Sequence, residues 1–396
     1  MKILHTADLH LGAKTEGKNR IEEQRNVMAE IVTLAEQEKV NVVIISGDIF
    51  DQAVPTSEAE DLFYETLENL TKNNDRVVVA IAGNHDDPKR ITAGAHFTNK
   101  HNCIIAGGLS PRIVDAEFKG GSIKKTAEGS VLVEVKANRG VQKCVISMLP
   151  YPSESRFEES TKEESYQGKV KEWARLAVKG FKGDAFNILA THLMLVGSKL
   201  GAKDGEECRV GDINAISKAD LPNADYYALG HIHSYQNMKG NFVYSGAPIK
   251  YDFDQRTTGV VIIETKGKNS IKSIEFRELQ TPAKMERIEV GSFEEAEARL
   301  KNCTSHDIVN LVFVQDEPLN LVTIKTLKTK FPAITKVLLK LKNNLSDDKN
   351  YICNRTKMET GNMFVEFYKQ KKLTEPSREL VALFKEIMEE NSSETN

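Results

Sequence analysis

The feature that most constrains this chain is a pattern repeated five times, a short apolar run that ends on a side chain able to bind a metal. "MKILHTADLHLG" runs into Asp8 and His10, "NVVIISGDIFD" into Asp48 with Asp51 behind it, and "RVVVAIAGNHDD" into Asn84, His85 and Asp86. "FNILATHLM" reaches His192, and "YYALGHIHSY" reaches His231 and His233. Runs this short, rich in Val and Ile and bounded by glycine or polar residues, read as buried strands. The two imidazoles of "GHIHSY" are one residue apart, which on a strand puts both on one face. A lone HxH pair is a weak signal, but the recurrence of ligand-type residues at five strand ends makes it a strong one.

Two of the gaps between runs are helical by pattern. In "IEEQRNVMAEIVTLAEQEKV", Ile21, Val27, Met28, Ile31 and Leu34 approximate helical spacing, and "SEAEDLFYETLENLTKN" separates the second and third runs. Strand–helix–strand alternation predicts an α/β chain with crossover connections and a sheet covered on both faces. Ligands bind such sheets off the carboxyl ends of the strands. All five clusters sit there, so they can converge.

Five of the nine histidines belong to these clusters. Imidazole, carboxylate and amide oxygen without thiolate suit a borderline-hard divalent ion such as Mn²⁺, Fe²⁺ or Zn²⁺. One tetrahedral ion cannot use so many ligands, but two ions roughly 3.5–4 Å apart that share a carboxylate can. Asp48 is the natural bridge, because Gly47 beside it leaves backbone approach unobstructed.

In order, DxH, GDxxD, GNHD, a lone TH and GHxH resemble the calcineurin-like metallophosphoesterases over roughly the first two-thirds of the chain. "ILHTADLHLG", "MLPYPSESRF", "ALGHIHSYQ" and "YSGAPIKYDFDQ" narrow the match to the SbcD family of bacterial nuclease subunits. "SGAPIKY" carries no metal ligand and still fits, so the set is specific. The resemblance implies a metallophosphoesterase β-sandwich with flanking helices. It also implies two divalent ions, with Mn²⁺ the expected metal. One ion is expected on Asp8, His10, Asp48 and His233, the second on Asp48, Asn84, His192 and His231. That leaves His85 for catalysis. Archaeal and eukaryotic relatives carry a second histidine three residues after the bridging aspartate, where this chain has Asp51. Asp51 is therefore expected to polarise His85 or tune a metal-bound water, and Asp86 to orient the His85 imidazole.

Two cations at such a site would neutralise a phosphodiester, activate a water and stabilise the departing oxygen, while a protonated His85 donates to the leaving group. The resemblance implies DNA as substrate, cut by 3′-to-5′ double-strand exonuclease and single-strand endonuclease activities. It also implies a homodimer assembled with the ATPase SbcC into a heterotetramer for DNA repair, recombination and replication. Lys14, Arg20, Lys89 and Arg90 follow strand-end clusters and are candidates for DNA phosphates. The glycine-rich stretch 197–211 is either a DNA-facing segment or a surface insertion. His5 is expected in the core, with parity opposite to Asp8, and His96, His101 and His306 as structural or solvated.

Composition sets outer limits. A chain of 396 residues can build two or three domains. At a net charge of −3 it offers nucleic acid no global attraction, so DNA contacts must come from local patches, metals and a partner. Five cysteines without close pairs read as reduced thiols of a cytoplasmic protein. No apolar stretch approaches membrane-spanning length.

Residues 1–280 are expected to form the nuclease domain. "KMERIEVG", "SFEEAEARLK", "DIVNLVFVQ", "LVTIKTLKTKF" and "ITKVLLKLK" then read as strand, helix, strand, helix and strand, a small α/β capping domain over 281–345. Ser292 and Glu295 make a capping box. Residues 346–396 read as a polar linker and C-terminal helices whose stripe of Leu380, Leu383, Phe384, Ile387 and Met388 is expected to dock SbcC. Two rival functions compete with this one. A phosphoesterase for nucleotides or phosphoproteins has no use for that stripe, and a silent DNA scaffold has no use for a complete ligand set.

Overall fold

The computed structural model describes residues 1–137, 140–157, 165–200, 215–267, 270–280, 283–316 and 319–341, together with 377, 380 and 381. The apolar runs form strands. β1 (Lys2–Thr6), β2 (Val42–Ser46), β3 (Val77–Ile81) and β4 (Cys103–Ala106) pair in parallel in that order. Helix α1 (Ile21–Gln37) joins the first two and α2 (Ser57–Thr71), capped by the Thr56 side chain, the next two.

The chain then builds a second sheet from β5 (Ala116–Phe118), β6 (Gly121–Ala127), β7 (Ser130–Ala137), β8 (Gly140–Leu149), β9 (Phe186–His192), β10 (Tyr226–Gly230), β11 (Gln236–Met238) and β12 (Phe242–Tyr244). Its order is β11-β12-β10-β9-β8-β7-β6-β5, and β8, β9, β10 and β12 run parallel. β13 (Gly259–Thr265) and β14 (Ile271–Glu278) return to the first sheet, antiparallel beside β1.

Alternation along β1 to β3 explains why these runs are apolar on both faces. Leu4, Val43, Ile45, Val78 and Ala80 pack under Val27, Met28 and Ile31 of α1 and Leu62, Phe63 and Leu67 of α2. Ile3, Val42, Ile44, Val77 and Val79 face the other way, onto Ile146, Met148, Phe186, Ile188 and Ala228 of the second sheet. The outer face of that sheet packs Leu149, Leu189 and Leu229 against Val170, Trp173 and Ala174 of helix α3 (Tyr166–Ala177). This is the β-sandwich with flanking helices that the resemblance implies. One face is covered by helices and the other by a second sheet, giving a helix–sheet–sheet–helix sandwich.

The chain divides into two compact units, one of Met1–Ile288 with Leu300–Asn310 and Leu327–Lys336, the other of the remainder. β15 (Met285–Val290), β16 (Ile308–Val314) and β17 (Ile334–Lys340) form a three-stranded sheet, with helices α4 (Phe293–Leu300) and α5 (Leu321–Lys330) between them in sequence. The Ser292 hydroxyl accepts from the Glu295 N–H at 3.2 Å, while the Glu295 carboxylate accepts from Gly291 N–H at 2.9 Å. The stripe expected to dock an ATPase lies outside the described residues apart from Leu380, and most of 197–211 lies outside them too. Among the described residues no helix is long and apolar enough to cross a membrane.

Candidate metal centre

The clusters sit at or just past the carboxyl ends of β1, β2, β3, β9 and β10, so both sheets contribute to one site. Asp8 N–H donates to Gly47 C=O and His10 N–H to Asp48 C=O, both at 3.0 Å, which ties the loop after β1 to the loop after β2. Asp8, His10, Asp48 and His231 have φ of 55°, 42°, 48° and 96°. Non-glycine residues in the left-handed region carry strain that a fold retains chiefly where side-chain aim matters. The HxH pair therefore does not lie on a strand. β10 stops at Gly230, and the left-handed turn at His231 sends the two imidazoles to opposite sides of the site.

Two glycines make the crowding possible. A Cβ on Gly83 would lie 2.0 Å from Asp48 Oδ1, and one on Gly47 would lie 2.3 Å from His192 Nδ1. Neither position has room for a side chain.

On one side, Asp8, His10 and His233 bring ligand atoms within 4.8 Å of one another, with His10 Nε2 and His233 Nε2 3.1 Å apart. On the other, Asn84 Oδ1 lies 2.9 Å from His192 Nε2 and 3.0 Å from His231 Nδ1. Asp48 stands between. Its Oδ1 accepts from His85 N–H at 2.9 Å, while its buried Oδ2 accepts no hydrogen bond among the described residues. That oxygen lies 3.3 Å from His192 Nε2 and 3.7 Å from His10 Nε2. Asp8 Oδ1 accepts from His231 N–H at 2.9 Å and also lies 3.9 Å from His192 Nδ1, so Asp8 borders both sides. His192 Nδ1 sits 2.7 Å from Ser46 C=O, which fixes that nitrogen as a donor and turns Nε2 inward, towards Asn84 and Asp48.

Burial alone would raise the Asp48 carboxyl, but His192, His10 and His85 outweigh it and hold Asp48 well below the ordinary carboxylate range. His192 is pushed the other way. Burial lowers it, yet Asp48 and Asp8 carry it up to about 9. Ring nitrogens converging on each other and a carboxylate oxygen aimed between two histidine sets form a donor arrangement that fits two cations.

His85 borders this centre without entering either set. Its Nδ1 lies 2.8 Å from the Asp51 carbonyl and its ring meets His10 edge-on at 4.8 Å. Asp51, His10 and His85 bring ligand atoms together as a further group, with Asp51 Oδ1 3.7 Å from His10 Nδ1. Asp86 does not orient the His85 imidazole. Its carboxylate accepts from Gly83, Ile49 and Phe50 N–H groups at 2.8, 3.1 and 2.9 Å, and so joins the loops after β2 and β3. Burial, then repulsion from Asp48, raise it to about 6.

The candidate DNA contacts separate. Arg20 is buried, with its guanidinium bonded to Glu23, Thr15 and the Lys250 carbonyl, so it cannot reach a phosphate. Arg90 is exposed and paired with Glu60 at 2.9 Å. Lys89 is exposed and lines a cleft of about 1130 Å³ that opens beside Asn84 and His85, together with Arg112, Tyr151 and Arg156. Lys14 is exposed beside a smaller cleft of about 340 Å³. His5 is fully buried, with Nδ1 2.9 Å from Tyr226 Oη, and its burial pushes it down to about 3.

Sequence reasoning missed two tyrosines. Tyr251, from "SGAPIKY", meets His10 and His233 at ring distances of 5.2 and 6.0 Å. Tyr151, from "MLPYPSESRF", stacks on His231 and meets His192 edge-on, both at 6.1 Å. Each histidine pair thus has an aromatic wall. The signal was that both stretches fit the family resemblance while carrying no ligand of their own.

The calcineurin-like phosphoesterase family model matches residues 1–235. The chain is 32% identical over 281 residues to the SbcD subunit of the nuclease SbcCD of Bacillus subtilis (strain 168), an alignment covering 67% of this chain and 66% of that one. It is 27% identical over 302 residues to the protein of the same name from Staphylococcus epidermidis, covering 74% of each chain.

Proposed function

The chain belongs to the calcineurin-like phosphoesterase family, and on that premise we propose that it is a two-metal DNA nuclease, the nuclease subunit of an SbcC–SbcD complex. The observation that carries the reading is the placement of Asp48 Oδ2 between His192 and His10, at 3.3 and 3.7 Å. A carboxylate so placed suits a bridge. Asp8, His10, Asp48 and His233 would hold one divalent ion, and Asp48, Asn84, His192 and His231 the other. Two Mn²⁺ ions, when bound, supply charge neutralisation at the phosphate and a water acidic enough to attack at neutral pH. With Nδ1 committed to the Asp51 carbonyl, His85 has Nε2 as the atom that passes a proton to the leaving oxygen. Lys89 and Arg112 flank the cleft on the His85 side and suit backbone phosphates there.

The names of the two relatives, each the D subunit of a nuclease SbcCD, support a nuclease and a complex with an SbcC partner. Within the reading, the chain is a 3′-to-5′ double-strand exonuclease and single-strand endonuclease, dimeric in the complex. Residues 281–345 cap the DNA groove, and 346–396 dock the ATPase.

The test is digestion of labelled hairpins, blunt duplexes and single strands with Mn²⁺, with and without SbcC, beside elemental analysis of Asp48→Ala. The variant should cut nothing and retain at most one ion. Two tightly held ions in Asp48→Ala would remove the bridge. Hydrolysis of nucleotides or phosphopeptides but not of DNA would move the chain to small substrates.

A further inference from the structure

Arg156 lies in a stretch without metal ligands, yet its guanidinium is aimed at the loop that carries two functional residues. One arm donates to the Gly83 carbonyl at 2.9 Å and the Tyr151 carbonyl at 3.2 Å; the other donates to the Asp86 carbonyl at 2.5 Å. Gly83 and Asp86 immediately bracket Asn84 and His85. The same guanidinium lies over the Tyr151 ring, 5.6 Å from its centre, and that ring stacks on His231. The Tyr151 N–H in turn donates to Ala82 C=O at 2.9 Å, a further tie to the same loop. Charge-assisted bonds from a planar fork fix geometry in a way a single ammonium cannot.

We infer that Arg156 is a positioning residue that locks the Gly83–Asp86 loop, and so sets the aim of Asn84 at the second metal and of His85 at the leaving group. The inference rests on the ligand assignment proposed above for Asn84. Arg156 touches neither set of metal ligands directly, so its loss should weaken one metal position and spare the other. Supporting groups behind a ligand typically change metal affinity or activity by about 10–100-fold.

The experiment is calorimetric Mn²⁺ titration of the full-length chain and of Arg156→Met and Arg156→Lys, with kcat and KM measured on a labelled single strand. Wild type should show two sites. Arg156→Met should keep one at wild-type affinity and weaken the other about 10–100-fold. Its kcat at limiting Mn²⁺ should fall while KM for DNA stays near wild type, and added guanidinium ion should restore part of the rate. Arg156→Lys should lie between. Two sites at unchanged affinity in Arg156→Met overturn the inference alone. Equal weakening of both sites with a lowered melting temperature also overturns it, since that is general loss of fold. A wild-type chain that takes up only one ion overturns the two-metal reading, and this inference with it.

Discussion

Replacing His85 by alanine separates its backbone from its side chain. The backbone N–H holds Asp48 Oδ1 at 2.9 Å and survives the substitution. The imidazole, with Nδ1 2.8 Å from the Asp51 carbonyl and its edge against His10 at 4.8 Å, is removed. The bridge between the metal positions should therefore stay where it is, and the stability cost should be about 1 kcal/mol, the net value of one half-exposed hydrogen bond. On the proposed role what disappears is the proton donor, and loss of general acid catalysis costs about 10²–10⁴-fold in rate. The assay is steady-state cleavage of a labelled single strand beside elemental analysis and DNA binding. Metal content and affinity for DNA should match wild type while kcat falls. A p-nitrophenyl phosphodiester, whose leaving group needs little protonation, should recover part of the loss. A missing ion in His85→Ala would make His85 a ligand. Unimpaired cleavage would pass the acid role elsewhere, with Asp51 the next candidate.

Acid sensitivity should trace in part to His5, a core residue outside the ligand clusters. Its folded pKa of about 3 lies below the ordinary 6.5, so under pH 6.5 the unfolded chain takes a proton that the folded core refuses, and stability falls as pH drops towards 3. The loss is about 2 kcal/mol by pH 5, and His5→Gln should flatten it in urea titrations from pH 7 to 5; an unchanged slope would place the sensitivity in other groups. Truncation before Asn362 should leave a folded, Mn²⁺-dependent single-strand nuclease that no longer co-purifies with SbcC, and retained co-purification would locate the interface elsewhere.

The ligand clusters were legible because strand ends are a local property. Any β-branched run of about five residues that stops at Gly–Asp or Gly–Asn–His announces both the strand and what hangs off it. Convergence followed from parallel pairing, which lines up carboxyl ends. The second sheet against β1 to β3 was harder to read. Runs such as Val42–Ser46 are buried on both faces whether helices or another sheet provide the cover. The aim of individual side chains was also hidden, because it depends on left-handed backbone at Asp8, His10, Asp48 and His231 that no spacing rule supplies. Arg20 shows the same limit from the charged side. Its partners include Glu23 and Thr15 nearby in sequence, but burial under the distant Lys250 carbonyl is what takes it away from a phosphate.

Other features hidden from the sequence are interactions between loops that lie far apart in the chain, such as Asp86 with Ile49 and Phe50, or Arg156 with Gly83. The ligands themselves are written one strand end at a time. The backbone bonds that hold them at working distance are written between strand ends, in residues that bind no metal. A candidate ligand list read from sequence is therefore a statement about chemistry, and on the proposed assignment substitutions at Arg156, Asp86, Gly47 or Gly83 should alter metal affinity without removing a single ligand.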